Sequence, residues 1–227
     1  MTLTTDDYDS VARELDAVVS RGLRERFRAR YNVAPGDEHW IVCRYDEDRV
    51  LRGATWGWLR DDGGMLVNAR AENVARSPTH RVAFLRGRCG VVADGFYEWN
   101  GPRNDRQPWW FCRPDRGLLV LAGLFVDGID PVTRQATRRF TVLTTDANRE
   151  VSSVHDRMPV ILPHGHLSEW LGSSDEHRLA QLLRPSPDAT LVVRPVSKLV
   201  NKTGNDEPAC IEAIPAPARQ TSLFDGL

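Results

Sequence analysis

Lysine is almost missing from this 227-residue chain: Lys198 and Lys202 are the two, and arginine supplies the other 28 of 30 basic residues. The net charge of −1 excludes a bulk electrostatic pull toward polyanions, while the arginines suit local, bidentate phosphate contacts and stacking. Cysteine is sparse too. Cys43, Cys89, Cys112 and Cys210 are scattered, with no Cys-x-x-Cys pair and no histidine at ligand spacing. They read as reduced packing residues of a cytoplasmic protein rather than a thiolate metal site. His164 and His166 in "PHGH" lack a third ligand and sit in a turn signal, so neither metal nor cofactor is expected. No apolar run is long enough to cross a bilayer, the head "MTLTTDDYDS" is not a secretory leader, and no Gly-rich phosphate loop or internal repeat occurs.

What is present is a globular composition, 41% hydrophobic and 27% charged, with seven Trp. Residues 4–30 carry apolar positions at helical spacing (Tyr8, Val11, Leu15, Val18, Val19) behind Asp6 and Asp7. After Pro35–Gly36 the chain turns β-rich, with short apolar runs from "HWIVCRY" to "TLVVRPV" separated by turn signals. Short helices are expected near 72–86, 166–171 and 175–184. The reading is one α+β domain over residues 1–212, with a curved, barrel-like, mainly antiparallel β core and peripheral helices. Residues 213–227, rich in Pro and Ala, read as a flexible tail.

Polar residues interrupt several strands. "LVNARAEN" sets Asn68, Arg70 and Glu72 at period two, "ADGFYEW" puts Asp94, Phe96 and Glu98 on one face, and "HDRMP" adds His155 and Arg157. Each alone suits a solvated strand end. Together they suggest one polar pocket, although periodicity does not make the strands neighbours.

In order along the chain, "RYNVAPG", "NARAE", "ADGFYEW", "LAGLF", "FTVLTTDAN", "HDRMPVIL" and "VNKTGNDEP" resemble the SRAP (SOS response-associated peptidase) family over about residues 3–212. The resemblance implies a mixed α/β fold with a barrel-like core and a positive cleft for single-stranded DNA. It also implies covalent capture of abasic sites: an N-terminal Cys forms a Schiff base with the ring-opened sugar aldehyde, and its thiol closes a thiazolidine. By match to the motifs, Glu98 is the general acid/base with a raised pKa, His155 shuttles protons and Asn68 orients the nucleophile or sugar. Arg70 and Arg157 hold flanking phosphates. Trp56 and Trp58 of "TWGW" either stack bases or pack the core. The segment after them, "LRDDGG", departs from the family's Pro-x-Trp pattern.

The larger departure is the nucleophile. Family members begin Met-Cys-Gly-Arg; this chain begins "MTLTTDDYD". Three explanations stand: a start assigned too late, with Met-Cys-Gly-Arg ahead of Met1; a member that binds DNA without crosslinking; or Thr2 as amine donor after Met1 removal. As written, the polypeptide is expected to form at most a reversible imine. A thiol-type peptidase and a catalytically silent DNA-binding adaptor are the rival readings. In the tail, Gln220, Leu223 and Phe224 of "QTSLF" resemble the peptide by which bacterial repair proteins dock on the β sliding clamp. The expected setting is cytoplasmic, at the bacterial nucleoid.

Overall fold

The computed structural model describes residues 1–60, 63–130 and 133–215. The tail residues Gln220, Leu223 and Phe224 lie outside them.

The helix expected over 4–30 is one short helix, α1 (Tyr8–Glu14), capped by the Asp7 side chain on the Ser10 N–H. Asp16, at φ 49°, ends it, and the next apolar pair forms strand β1 (Val18–Val19). Val11 and Leu15 are buried as their spacing predicts, but Val18 is exposed. The helical period was a coincidence across a helix, a turn and an edge strand.

Five strands close into a barrel. In chain order they are β2 (Glu38–Tyr45), β3 (Asp48–Trp56), β7 (Arg88–Ala93), β10 (Leu119–Ile129) and β11 (Ala136–Asp146). The ring runs β3–β2–β7–β10–β11 and is sealed by parallel pairing of Arg139 and Phe140 with Thr55 and Trp56. Strands β4 (Trp58–Leu59) and β5 (Met65–Leu66) make a small hairpin beside it. Strand β6 (Asn68–Arg70) runs parallel to β11, and β12 (Arg157–Pro159) antiparallel to it. A second, three-stranded sheet has β9 (Gln107–Cys112) between β8 (Gly95–Asn100) and β13 (Val192–Pro195). Pairing is thus mainly antiparallel, with parallel contacts at β1–β3, β3–β11 and β6–β11.

Alternation along the barrel strands serves two cores. Trp40, Val42, Val92, Ala122 and Leu124 pack with Phe84 and Trp170. These belong to helices α3 (Arg81–Arg86) and α5 (Leu167–Gly172), which lie on the outside with α2 (Ala71–Val74) and α6 (Glu176–Leu182). Ile41, Val91, Leu121, Phe140 and Val142 join Phe96 and Phe111 of the second sheet. All four cysteines are buried and unpaired. Pro163–His166 forms the expected turn ahead of α5. No described helix is long and apolar enough to cross a membrane.

Residues 1–4 lie as a strip between two loops. Thr2 N–H donates to Gly95 O, Asp94 N–H to Thr2 O, and Leu3 and Arg30 exchange both backbone bonds. Gly95 permits the close approach of β9 on its other side: a Cβ there would run into the Trp110 indole and lie 2.8 Å from the Phe111 carbonyl oxygen.

Candidate functional site

A cavity of about 610 Å³ opens between the barrel and the second sheet. The barrel side contributes Trp56, Asn68 and, at its floor, Leu121 and Val142. Opposite them, β8 presents Phe96, Glu98 and Trp99, and the β8–β9 loop adds Arg103 and Arg106. Asn32–Pro35 and the segment around Val200–Thr203 form the remaining wall, and Met1 reaches in beside them.

That wall is tied together by polar contacts. Asp206 accepts from the backbone N–H groups of Tyr31 and Asn32 and from the Arg30 guanidinium. The buried Asn32 amide donates to the carbonyls of Val200, Lys202 and Asn205. Such a satisfied network fixes two loops to one another.

Asn68 and Glu98 therefore face one hollow, from different sheets. Glu98 is three-quarters buried, and its burial pushes the carboxyl up to about 7, against the opposing pull of His155 and the chain's α-amino group. His155 stands behind Glu98, its Nδ1 4.0 Å from Glu98 Oε2 and 3.3 Å from Asp156 Oδ1. The residue follows α4 (Arg149–Ser152), whose cap is the buried Asn148 side chain on the Val151 N–H. The His155 Nδ1 accepts the Arg157 backbone N–H at 3.0 Å. The same Nδ1 lies 3.2 Å from the Arg157 carbonyl oxygen, a hydrogen bond only for a ring that carries its proton on Nδ1.

Arg157 itself is not open to a phosphate. Its guanidinium makes a bidentate pair with Glu72 at 2.8 and 2.9 Å, and reaches Asp146 Oδ1 at 2.6 Å and Thr144 O at 2.7 Å. Glu72 is not on the strand with Asn68, because the chain turns into α2 at Ala71; from there it clamps the segment that carries His155. Arg157→Ala is expected to lower stability by about 1–3 kcal/mol, the cost of stripping charge-assisted bonds, read as a shift of the urea midpoint. An unchanged midpoint would show these pairs to be dispensable. Trp58 does not fit base stacking either. It is 6% exposed, donates from Nε1 to Arg139 O, and packs on His80. Trp56 lines the cavity, with its Nε1 held by Val67 O. Arg70 is exposed at the end of β6, outside the cavity lining.

Sequence reasoning missed three features. Asp94 does not share the hollow with Glu98. It is buried beneath the chain head, accepting from Thr2 Oγ1 at 2.6 Å, from Thr4 N–H at 2.7 Å and from the Thr4 hydroxyl. This clamp occupies the Thr2 hydroxyl and leaves Thr2 fully buried while Met1 is in place, which bears on ring closure by that hydroxyl and not on the α-amine that Met1 removal would expose. The Met1 α-amine donates to Val33 O at 3.0 Å at the cavity edge, and burial pulls it down to about 5. The signal was the Asp of "ADGFYEW" paired with two threonines about 90 residues away, which no periodicity links. The third feature is the arginine pair of "GPRNDR".

Among the described residues no cluster of His, Cys, Asp or Glu could hold a metal ion. The hollow instead offers a carboxyl pushed up to about 7 and a carboxamide, with an α-amine pulled down to about 5 at its edge, a set suited to carbonyl and acetal chemistry.

The family model described as SOS response associated peptidase (SRAP) matches residues 1–203. The chain belongs to the SRAP family. SRAP relatives include the abasic site processing protein YoqW of Bacillus subtilis, 32% identical over 219 residues, covering 91% of this chain and 96% of the relative. Another is the abasic site processing protein HMCES of Gallus gallus, 30% identical, covering 85% and 68%. The same fold appears in a crystal structure of a Bacteroides thetaiotaomicron protein, TM-score 0.79 at 21% identity, covering 94% of this chain and 98% of that one.

Proposed function

We propose that this protein processes abasic sites in single-stranded DNA, with the open-chain sugar aldehyde in the hollow between Asn68 and Glu98. The observation that carries the reading is the Glu98 carboxyl: pushed up to about 7 by burial, in the cavity that Met1 also lines, with the Met1 α-amine held at Val33 O and pulled down to about 5. SRAP relatives bear the name of abasic site processing proteins.

An abasic sugar is mostly a closed hemiacetal. Protonated Glu98 gives its proton to the ring oxygen, the C1′–O4′ bond breaks, and the C1′ hydroxyl loses its proton to leave the aldehyde. The amine nitrogen adds to C1′, giving a carbinolamine. A second protonation by Glu98 expels water and leaves the imine. His155 at the back of Glu98 relays the protons, and Asn68 orients the sugar by hydrogen bonds. In the 227-residue polypeptide no thiol takes part, because none of the four cysteines lines the hollow. The adduct stops at the imine. The same fact disfavours the thiol-peptidase reading. The proposed docking of the Gln220–Phe224 tail on a sliding clamp rests on its sequence alone.

The test is borohydride trapping on abasic and intact oligonucleotides, with Met1 retained as judged by intact mass. The amine is free above about pH 5 and the carboxyl protonated below about pH 7. The trapping rate is therefore expected to be bell-shaped between those limits. No adduct with abasic single strands at any pH, or a rate still climbing at pH 8, overturns the reading.

A further inference from the structure

We infer that the loop of residues 101–106, through Arg103 and Arg106, is the clamp that grips the DNA backbone beside the lesion. This deepens the reading of an abasic single strand in the hollow and rests on it. Among the described residues, Glu98 is the only acidic side chain lining the cavity, and Arg103 and Arg106 are its two cationic ones. Of the arginines that the sequence motifs single out, Arg157 is paired with Glu72 and Asp146, and Arg70 stands exposed outside the lining.

The loop is braced where it needs to be and free where a ligand would meet it. Asn201 Nδ2 donates to Arg106 O at 3.0 Å, while the Asn201 Oδ1 accepts from Trp99 Nε1 at 2.7 Å. Lys198 pairs with Asp105, which removes the loop's own carboxylate from competition. Asp105 N–H closes on Pro102 O at 2.9 Å, and Gly101 turns the chain at φ 90°. The backbone of the loop is thus fixed, and both guanidinium side chains are exposed at the rim. A preordered loop loses little freedom on binding, and a guanidinium offers two parallel donors to phosphate oxygens.

Each phosphate contact on a single strand contributes about 0.7 to the slope of log affinity against log salt. The experiment measures that slope, between 50 and 400 mM salt, with a single-stranded oligonucleotide carrying a stable abasic analogue. Arg103→Ala with Arg106→Ala is expected to lower the slope by about 1.4 and to weaken binding about 25-fold near 0.1 M salt, while the Lys pair at the same positions keeps most of the slope. Arg86→Ala, a charge change outside the cavity lining, is expected to leave it within error. Wild-type binding with an undiminished slope in the double Ala variant overturns this inference and leaves the abasic-site reading intact. Failure of the wild-type chain to bind the oligonucleotide overturns both.

Discussion

Glu98→Gln is expected to slow borohydride-trapped attachment to abasic single strands about 10²–10³-fold at pH 6, with oligonucleotide affinity changed less than twofold. The amide keeps the size and the hydrogen-bonding reach of the carboxyl but has no proton to give to a ring oxygen or a departing hydroxyl. A second signature separates loss of chemistry from loss of fold. Glu98 is raised in the folded chain from 4.5 to about 7. Its contribution to stability is thus fully present below its unfolded pKa and is lost as pH rises through about 7. Glutamine removes that dependence. The variant is expected to gain urea resistance relative to wild type at pH 8 and to lose this advantage near pH 5. The falling limb of the rate profile near pH 7 is expected to vanish with it. A variant that attaches within threefold of wild type would show that Glu98 is not the proton donor.

Placing Met-Cys-Gly-Arg ahead of Met1 is expected to turn a reversible adduct into one that survives heating without borohydride, once the new initiator Met is removed. The step is simple in atoms: the thiolate sulfur adds to the imine carbon, the C–S bond forms, and the nitrogen takes the proton. The Thr2 hydroxyl cannot imitate it, being a poorer nucleophile that Asp94 already holds. The strip formed by Thr2–Thr4 is pinned on both sides, at Gly95 and Arg30, so added residues would enter the hollow from its edge. The control is the same leader with Ser for Cys, which is expected to give only the borohydride-dependent product. An adduct from the Cys version that still dissociates on heating would favour a DNA-binding role without crosslinking.

Much of the fold was legible because alternation and turns are local signals. Strands β2, β7, β10 and β11 follow from their apolar runs, and the helices expected near 166–171 and 175–184 are present as Leu167–Gly172 and Glu176–Leu182, while the stretch 72–86 is broken by a turn into Ala71–Val74 and Arg81–Arg86. The helix expected across 4–30 failed for the same reason, since a period of apolar residues does not reveal the left-handed Asp16 that breaks it. The pocket was legible only as a coincidence of polar residues at strand ends. That Asn68 and Glu98 meet depends on two sheets being laid face to face, a tertiary fact. Trp58 and Arg157 show the limit of motif reasoning. One is core and the other is a strut, and nothing in "TWGW" or "HDRMP" distinguishes these from open contacts without knowing that Glu72 and Asp146 converge on one guanidinium.

The polar lock between Asn32, Asp206 and the 200–205 carbonyls also sets when the protein becomes chemically competent. One side of the hollow belongs to the first 35 residues and its counterpart to the last stretch before residue 208. A ribosome must therefore release nearly the whole polypeptide before the two halves can meet. Until then the amine of a nascent chain sits in water with its ordinary pKa of about 8, mostly protonated at neutral pH, and the burial that pulls it down arrives together with the finished tertiary structure.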